Sequence, residues 1–147
     1  MKKFLLLVFM MLILISAATI STSKPDAMHT MEGTWELQTF YNYDGDKVDT
    51  VSLVDGYRQV KMYYNGSVMW SRTDPNDTVG RFGYGRYHIT DKDLVEDIEY
   101  GDYSMMRALQ TLRNFRFELV LTDSTYSQIT LDEDGNRTFS ENYKRID

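Results

Sequence analysis

Three carboxylates in one predicted strand, Glu96, Asp97 and Glu99, are the residues whose types most invite a chemical role. Two carboxylates a few ångströms apart can share the acid and base steps of a hydrolysis. Alternation along a strand works against that, because neighbours point to opposite faces. Asp97 and Glu99 share one face, and Glu96 shares the other with Ile98 and Tyr100. The run therefore reads as surface charge, with Glu96 as the one member able to turn inward and serve as a polar anchor. Of the two histidines, His29 lies near the amino terminus and His88 has only Arg86 and Thr90 as strand neighbours on its face. A metal site draws on several such ligands, so His88 reads as solvent-facing or hydrogen-bonded. Glu96 with His88 is the only pair left for a barrel enzyme. No Gly-x-Ser-x-Gly, phosphate-cradling loop, dinucleotide fingerprint or His-Glu-x-x-His occurs. The expectation is a binding protein, not an enzyme, with no cofactor and no metal.

Binding chemistry is better represented than catalytic chemistry. The chain carries 11 Tyr, 7 Phe and 2 Trp, side chains that fill strands and line ligand cavities. The residues expected to line a cavity are Tyr41, Tyr63, Trp70, Tyr84, Tyr87, Glu96, Tyr100, Phe117 and Tyr143, with Phe82 and Tyr126 in the wider aromatic set. Packing in a core is the competing reading for any single ring. The excess of Tyr over Phe favours a cavity, since a phenol in a dry core must find a partner whereas one at a cavity wall can meet ligand or water. Met62, Met69, Met105 and Met106 would add an adaptable apolar wall.

Those residues sit in short β-rich runs separated by turn signals, the rhythm of a sandwich or barrel. The first run, Gly33 to Tyr43, sets Trp35, Leu37, Thr39 and Tyr41 against Thr34, Glu36 and Gln38, and stops at Asp44-Gly45-Asp46. Tyr57–Tyr64 joins Ser67–Arg72 through Asn65-Gly66, the strongest two-residue hairpin signal. After a loop at Thr73–Asp77 come Arg81–Thr90 and, past Asp91-Lys92-Asp93, Leu94–Tyr100. Gly83 and Gly85 inside a strand predict sharp bending or close backbone approach. Ser104–Asn114 reads as a short helix, with Met105, Leu109 and Leu112 at spacings of four and three, able to cover one end of the fold. Phe115–Thr122, Tyr126–Leu131 and Arg137–Ile146 complete the set, the last pair joined at Asp132-Glu133-Asp134-Gly135. Eight antiparallel strands close a barrel just wide enough for side chains or one small ligand. An open sandwich of six to eight strands is the alternative.

The amino terminus sets the compartment. Met1-Lys2-Lys3 precedes an apolar run from Phe4 to Ile15 and the small residues Ser16-Ala17-Ala18, the order of a secretory signal peptide. The run is shorter than the ~20 residues a membrane-spanning helix needs, so cleavage after Ala18 is expected rather than stable membrane insertion. Residues 19–31 read as a flexible leader and 32–147 as one domain. The expected location is periplasmic or secreted. With no cysteine, disulfides, thiol catalysis and lipid attachment through a thiol are all excluded. The net charge is −6 and the basic residues are scattered, which argues against nucleic acid. The sequons at Asn65, Asn76 and Asn136 fall in predicted turns and read as turn chemistry, not glycan sites.

The segment Glu32-Gly33-Thr34-Trp35-Glu36-Leu37, with its Gly-x-Trp, together with the ending Glu141-Asn142-Tyr143-Lys144-Arg145-Ile146, resembles the lipocalin-like (calycin) proteins, in particular small exported domains of Bacteroidetes-type bacteria. The tract Gly85-Arg86-Tyr87, leading through a turn to Glu96–Gly101, is similar as well. The resemblance implies an eight-stranded antiparallel up-and-down lipocalin-like barrel with one short helix, spanning Glu32 to Asp147. It further implies that Trp35 plugs the closed end while Arg145 packs over its ring, a contact worth roughly 0.5–2 kcal/mol. The function it implies is binding of a small apolar molecule inside the barrel. The alternative is a packed, ligand-free barrel that holds a protein partner of the cell envelope.

Overall fold

The computed structural model describes residues 31–147. The expected signal peptide, its cleavage point and His29 lie outside them, as does all of the expected leader but Met31. Nine strands and one helix follow: β1 (Gly33–Asp44), β2 (Lys47–Ser52), β3 (Arg58–Tyr64), β4 (Ser67–Asp74), β5 (Asp77–Ile89), β6 (Asp93–Gly101), α1 (Tyr103–Ala108), β7 (Asn114–Leu121), β8 (Thr125–Leu131) and β9 (Arg137–Arg145). All the pairings are antiparallel, in the order β2-β1-β3-β4-β5-β6-β7-β8-β9, and β1 also pairs with β9. Eight strands, β1 and β3 to β9, thus close into a ring. β2 stands outside that count, folded back on the Thr39–Asp44 half of β1 while Gly33–Glu36 pairs with β3. All six β2 residues are exposed, so β2 carries no inward alternation by which sequence could announce it.

Turn chemistry follows the sequence closely. Asn65 and Gly66 both take positive φ, 47° and 76°, as the two-residue turn of the β3–β4 hairpin requires. The helix ends sooner than the apolar spacing suggests. Asp102 caps it, accepting from the Ser104 and Met105 amides at 2.8 and 3.2 Å. Beyond Ala108 the bonds tighten to three-residue turns, Gln110 to Arg107 and Thr111 to Ala108, where Thr and Asn hold a helix poorly. Leu109 is nevertheless buried against the barrel core, while Leu112 is exposed.

Two β-bulges decide which side chains enter the barrel. Opposite β9, Leu37 pairs with Tyr143 and Thr39 with Asn142, so Gln38 is an extra residue. A bulge of this kind exchanges the two faces of the strand beyond it. Trp35 and Leu37 point inward, but past the bulge Phe40 takes the inner face opposite Glu141, and Tyr41 turns outward opposite Ser140. On β6, Ile98 pairs with Gly85 while Tyr100 pairs with Tyr84, leaving Glu99 extra. Leu94, Glu96 and Ile98 face the core, and Tyr100 and Tyr84 face out. Gly85 sits where a Cβ would run into the Asp97 carbonyl, which is the close approach its position in a strand implies.

The floor of the barrel is sealed by aromatic packing. Trp35 has no exposed surface, donates its indole N–H to the Met31 carbonyl at 2.9 Å and meets the Tyr126 ring edge-on at 5.0 Å. The Arg145 guanidinium lies 4.1 Å from the indole centre, donating to the carbonyls of Glu32 (2.6 Å) and Asp123 (2.8 Å). Gly33 makes room for it: at φ +140° it has no Cβ, and one placed there would collide with the guanidinium. Above the indole, Tyr126 stacks on Tyr143 with ring centres 4.6 Å apart, and Tyr63 packs edge-on against Tyr87 at 4.8 Å.

Candidate functional site

Alternation in β3 brings Gln59, Lys61 and Tyr63 to the inner face, all three buried. Lys61 is the central surprise, a cation whose side chain is 5% exposed beside a Glu96 that is 4% exposed. Its ammonium donates to both Glu96 oxygens at 3.0 and 3.1 Å and to Gln128 Oε1 at 2.8 Å. The Tyr63 hydroxyl donates to Glu96 Oε1 at 2.6 Å. A buried ion survives only when paired and hydrogen-bonded, and this one has both. A second chain of bonds lies nearer the mouth. Tyr57 donates to Gln59 Oε1 at 3.0 Å, Gln59 donates to the Tyr143 hydroxyl at 2.5 Å, and Tyr143 donates to Glu141 Oε2 at 2.6 Å. Burial first, and then the neighbouring carboxylates Glu96 and Glu141, push the Tyr63 and Tyr143 phenols well above their ordinary range. Tyr126, likewise enclosed, is raised chiefly by burial.

Above this polar layer the barrel opens into a small cavity of ≈ 200 Å³ lined by Gln59, Lys61, Trp70, Arg72, Arg81, Met105, Gln128 and Glu141. Seven strand positions and one helix position converge here. Trp70 stands opposite Lys61, and Arg72 is flanked by Gln59 on β3 and Arg81 on β5. Gly83 lets the indole lie flat, since a Cβ there would come within 2.5 Å of Trp70 Nε1. Met105 reaches in from α1. Arg81 Nε lies 3.2 Å from Asp102 Oδ2, tying the cavity wall to the helix cap. Burial works to raise the Asp102 pKa, but the Met105 and Phe82 amides and the Arg81 guanidinium outweigh it and hold the carboxyl below its usual range.

The residues expected from sequence to line a cavity divide three ways. Trp70 lines the one just described. Tyr63, Tyr87, Glu96 and Tyr143 point inward but are consumed by packing and by the ion-pair network, and Phe117, half-buried, lies 6.0 Å below the Lys61 ammonium. Tyr41, Tyr84 and Tyr100 are on the outer surface, correcting the expectation that they line the interior. The bulges at Gln38 and Glu99 reverse the faces of Tyr41 and Tyr100, whereas Tyr84 faces out by plain alternation with inward Gly85 and Tyr87 and packs against Tyr100 at 5.2 Å. Phe82, Met62, Met69 and Met106 are exposed too. His88 faces outward, across the sheet from inward Glu96, so the two do not converge. The Tyr87 hydroxyl is buried without a hydrogen-bond partner among the described residues, and burial and Glu32 push it up to about 12. Sequence reading missed Gln59, Lys61, Arg72, Arg81, Gln128 and Glu141. The available signal was alternation itself: Gln59-x-Lys61-x-Tyr63 and Trp70-x-Arg72 place polar groups on the same faces as rings.

Among the described residues no group of three His, Asp or Glu is placed to hold a metal ion, and no helix is long and apolar enough to cross a membrane. No protein-family model and no curated protein matches the chain. By fold it is similar to a lipocalin-like protein from Bacteroides uniformis ATCC 8492, with a TM-score of 0.55 and 11% identity over 80% of this chain and 99% of that one. It is also similar to an uncharacterized protein from Bacteroides eggerthii DSM 20697, with a TM-score of 0.51 and 15% identity over 79% of this chain and 99% of that one. The architecture is thus a lipocalin-like β-barrel.

Proposed function

We propose that this protein is an exported binding protein, a carrier or sensor that takes one small molecule into the mouth of its barrel and catalyses nothing. The observation that carries this reading is the mouth cavity. There the inward side chains leave space, walled by an indole, a methionine and several hydrogen-bonding groups, the usual mixture of a ligand site. Its ≈ 200 Å³ falls below the ~300–1,000 Å³ of pockets for drug-sized ligands, so the ligand is small. The wholly apolar guest expected from the aromatic composition gives way to one with polar groups, because most of the rings that were to enclose it are packed against one another.

A second reading rests on the outer surface. Met62, Met69, Tyr84 and Tyr100 are cross-strand neighbours in one row over β3 to β6, and Met62, Met69 and Tyr100 are 45%, 42% and 50% exposed. Such a row suits a protein partner of the envelope. Native mass spectrometry of the protein purified from its own host separates the two. The first reading expects a small-molecule adduct released by mild denaturation. A ligand-free protein that elutes instead with a second polypeptide would overturn it in favour of the second.

A further inference from the structure

We infer that the mouth cavity selects a small organic anion, its carboxylate held by Arg72 and Arg81 and its planar body laid against Trp70 and Met105. The inference rests on the reading of the mouth as a small-molecule site and names the class of molecule.

Arg72 and Arg81 are directly opposed across the β4–β5 ladder, and both enter the cavity. Like charges facing each other on one side of a sheet are destabilising, and only Arg81 has acids beside it, Asp77 and Asp102, to offset that. The surrounding acids engage them unequally. Arg72 makes no ion pair among the described residues, and its side-chain contact is with the Tyr57 hydroxyl. Arg81 has Asp77 at 3.8 Å and Asp102 at 3.2 Å, but Asp102 already accepts from the amides of Ser104, Met105 and Phe82. The Arg81 Nε is buried without a well-formed hydrogen bond.

The rest of the lining points the same way. Lys61 is neutralised by Glu96, Gln128 Oε1 is taken by Lys61, and Glu141 Oε2 accepts from both Tyr143 and Gln59. The indole N–H of Trp70 has no partner among the described residues. Against one carboxylate oxygen, Glu141 Oε1, the cavity still offers mainly donors: the remaining N–H groups of two guanidiniums and an indole N–H. An acceptor-rich, negatively charged group answers them, and paired guanidiniums suit the two oxygens of a carboxylate. Trp70 and Met105 supply the apolar side on which a flat body can lie.

The test uses benzoate, benzyl alcohol and benzylamine, three probes of one shape and different charge, titrated calorimetrically and by tryptophan fluorescence. Benzoate is expected to bind saturably and to change the Trp70 emission, with the other two weaker by about tenfold or more. Arg72→Gln and Arg81→Gln should each weaken benzoate by a similar factor, while Lys144→Gln on the exposed face changes nothing. Arg72→Gln should also raise the melting temperature of the empty protein, because it removes the facing charge. If the arginines instead serve the fold, that variant melts lower, and the inference fails. Equal binding of benzyl alcohol, or tighter binding of benzylamine, overturns the anion while leaving the mouth as the site. Should none of the three bind, the reading of the mouth fails with it.

Discussion

Lys61 sits where a strand alternation would ordinarily place an apolar side chain, and its position is tolerable only because Glu96, Gln128 and the Tyr63 hydroxyl converge on the same point. Taking two ions from water costs several kcal/mol each, and their attraction repays this only with good geometry and further hydrogen bonds. The consequence is an asymmetry that mutation can expose. Lys61→Met leaves a buried carboxylate without its cation and should cost about 3–5 kcal/mol. Glu96→Leu leaves the ammonium stranded and should cost about as much. The combined variant removes both charges and should recover most of the loss, so that urea unfolding shows far less than the sum of the two. A strictly additive double variant would mean that the pair contributes as two independent contacts.

Elements differ in how far their sequence announces them. The eight ring strands are legible because each alternates ring or aliphatic residues with polar ones, and because Asn65-Gly66 and Asp132–Gly135 mark turns by their chemistry. β2 is not, since Lys47 to Ser52 buries nothing and pairs on one edge only. It should therefore exchange its amide hydrogens well before β1, β8 and β9, which are paired on both edges and cover the core. Exchange followed by mass spectrometry would show this, and equal protection of β2 would place it within the ring's cooperative unit. The two bulges explain why the cavity was misread. One extra residue at Gln38 and one at Glu99 leave hydrophobicity untouched, yet each sends every later side chain of its strand to the other face. Plain alternation turns Tyr41 and Tyr100 inward, and pairing register alone shows otherwise. The charged lining was missed for a different reason: Lys61, Arg72 and Arg81 look like surface residues until their cross-strand neighbours are known. Trp35 and Arg145, far apart in sequence, are the exception, visible through their resemblance to a known pairing and joined in space because β1 meets β9.

At the scale of the molecule, one end of the barrel is closed by packed rings and the other opens into a donor-lined recess that α1 borders through Met105. The closed part has a pH signature. Tyr63, Tyr126 and Tyr143 have pKa values raised well above 10, and Tyr87 is raised to about 12. Protons held more tightly in the folded state than in the unfolded chain make stability fall as pH climbs through the unfolded phenol value near 10 toward the folded values. Urea midpoints should show no loss from these groups below about pH 9 and a steep decline above pH 10, with tyrosinate absorbance rising in two phases as exposed phenols ionise before buried ones. A single phase near pH 10 with unchanged stability would contradict the packed interior. The open end has a signature of its own in the two indoles. Trp35 is sealed at the floor with its N–H bonded to Met31, whereas Trp70 faces the recess with its N–H free. Nitrogen-15 spectra recorded during a benzoate titration read the two separately. The account predicts that the Trp70 indole signal moves and saturates while that of Trp35 stays in place. A Trp35 signal that moves while Trp70 does not, or two signals that both ignore the ligand, would contradict it.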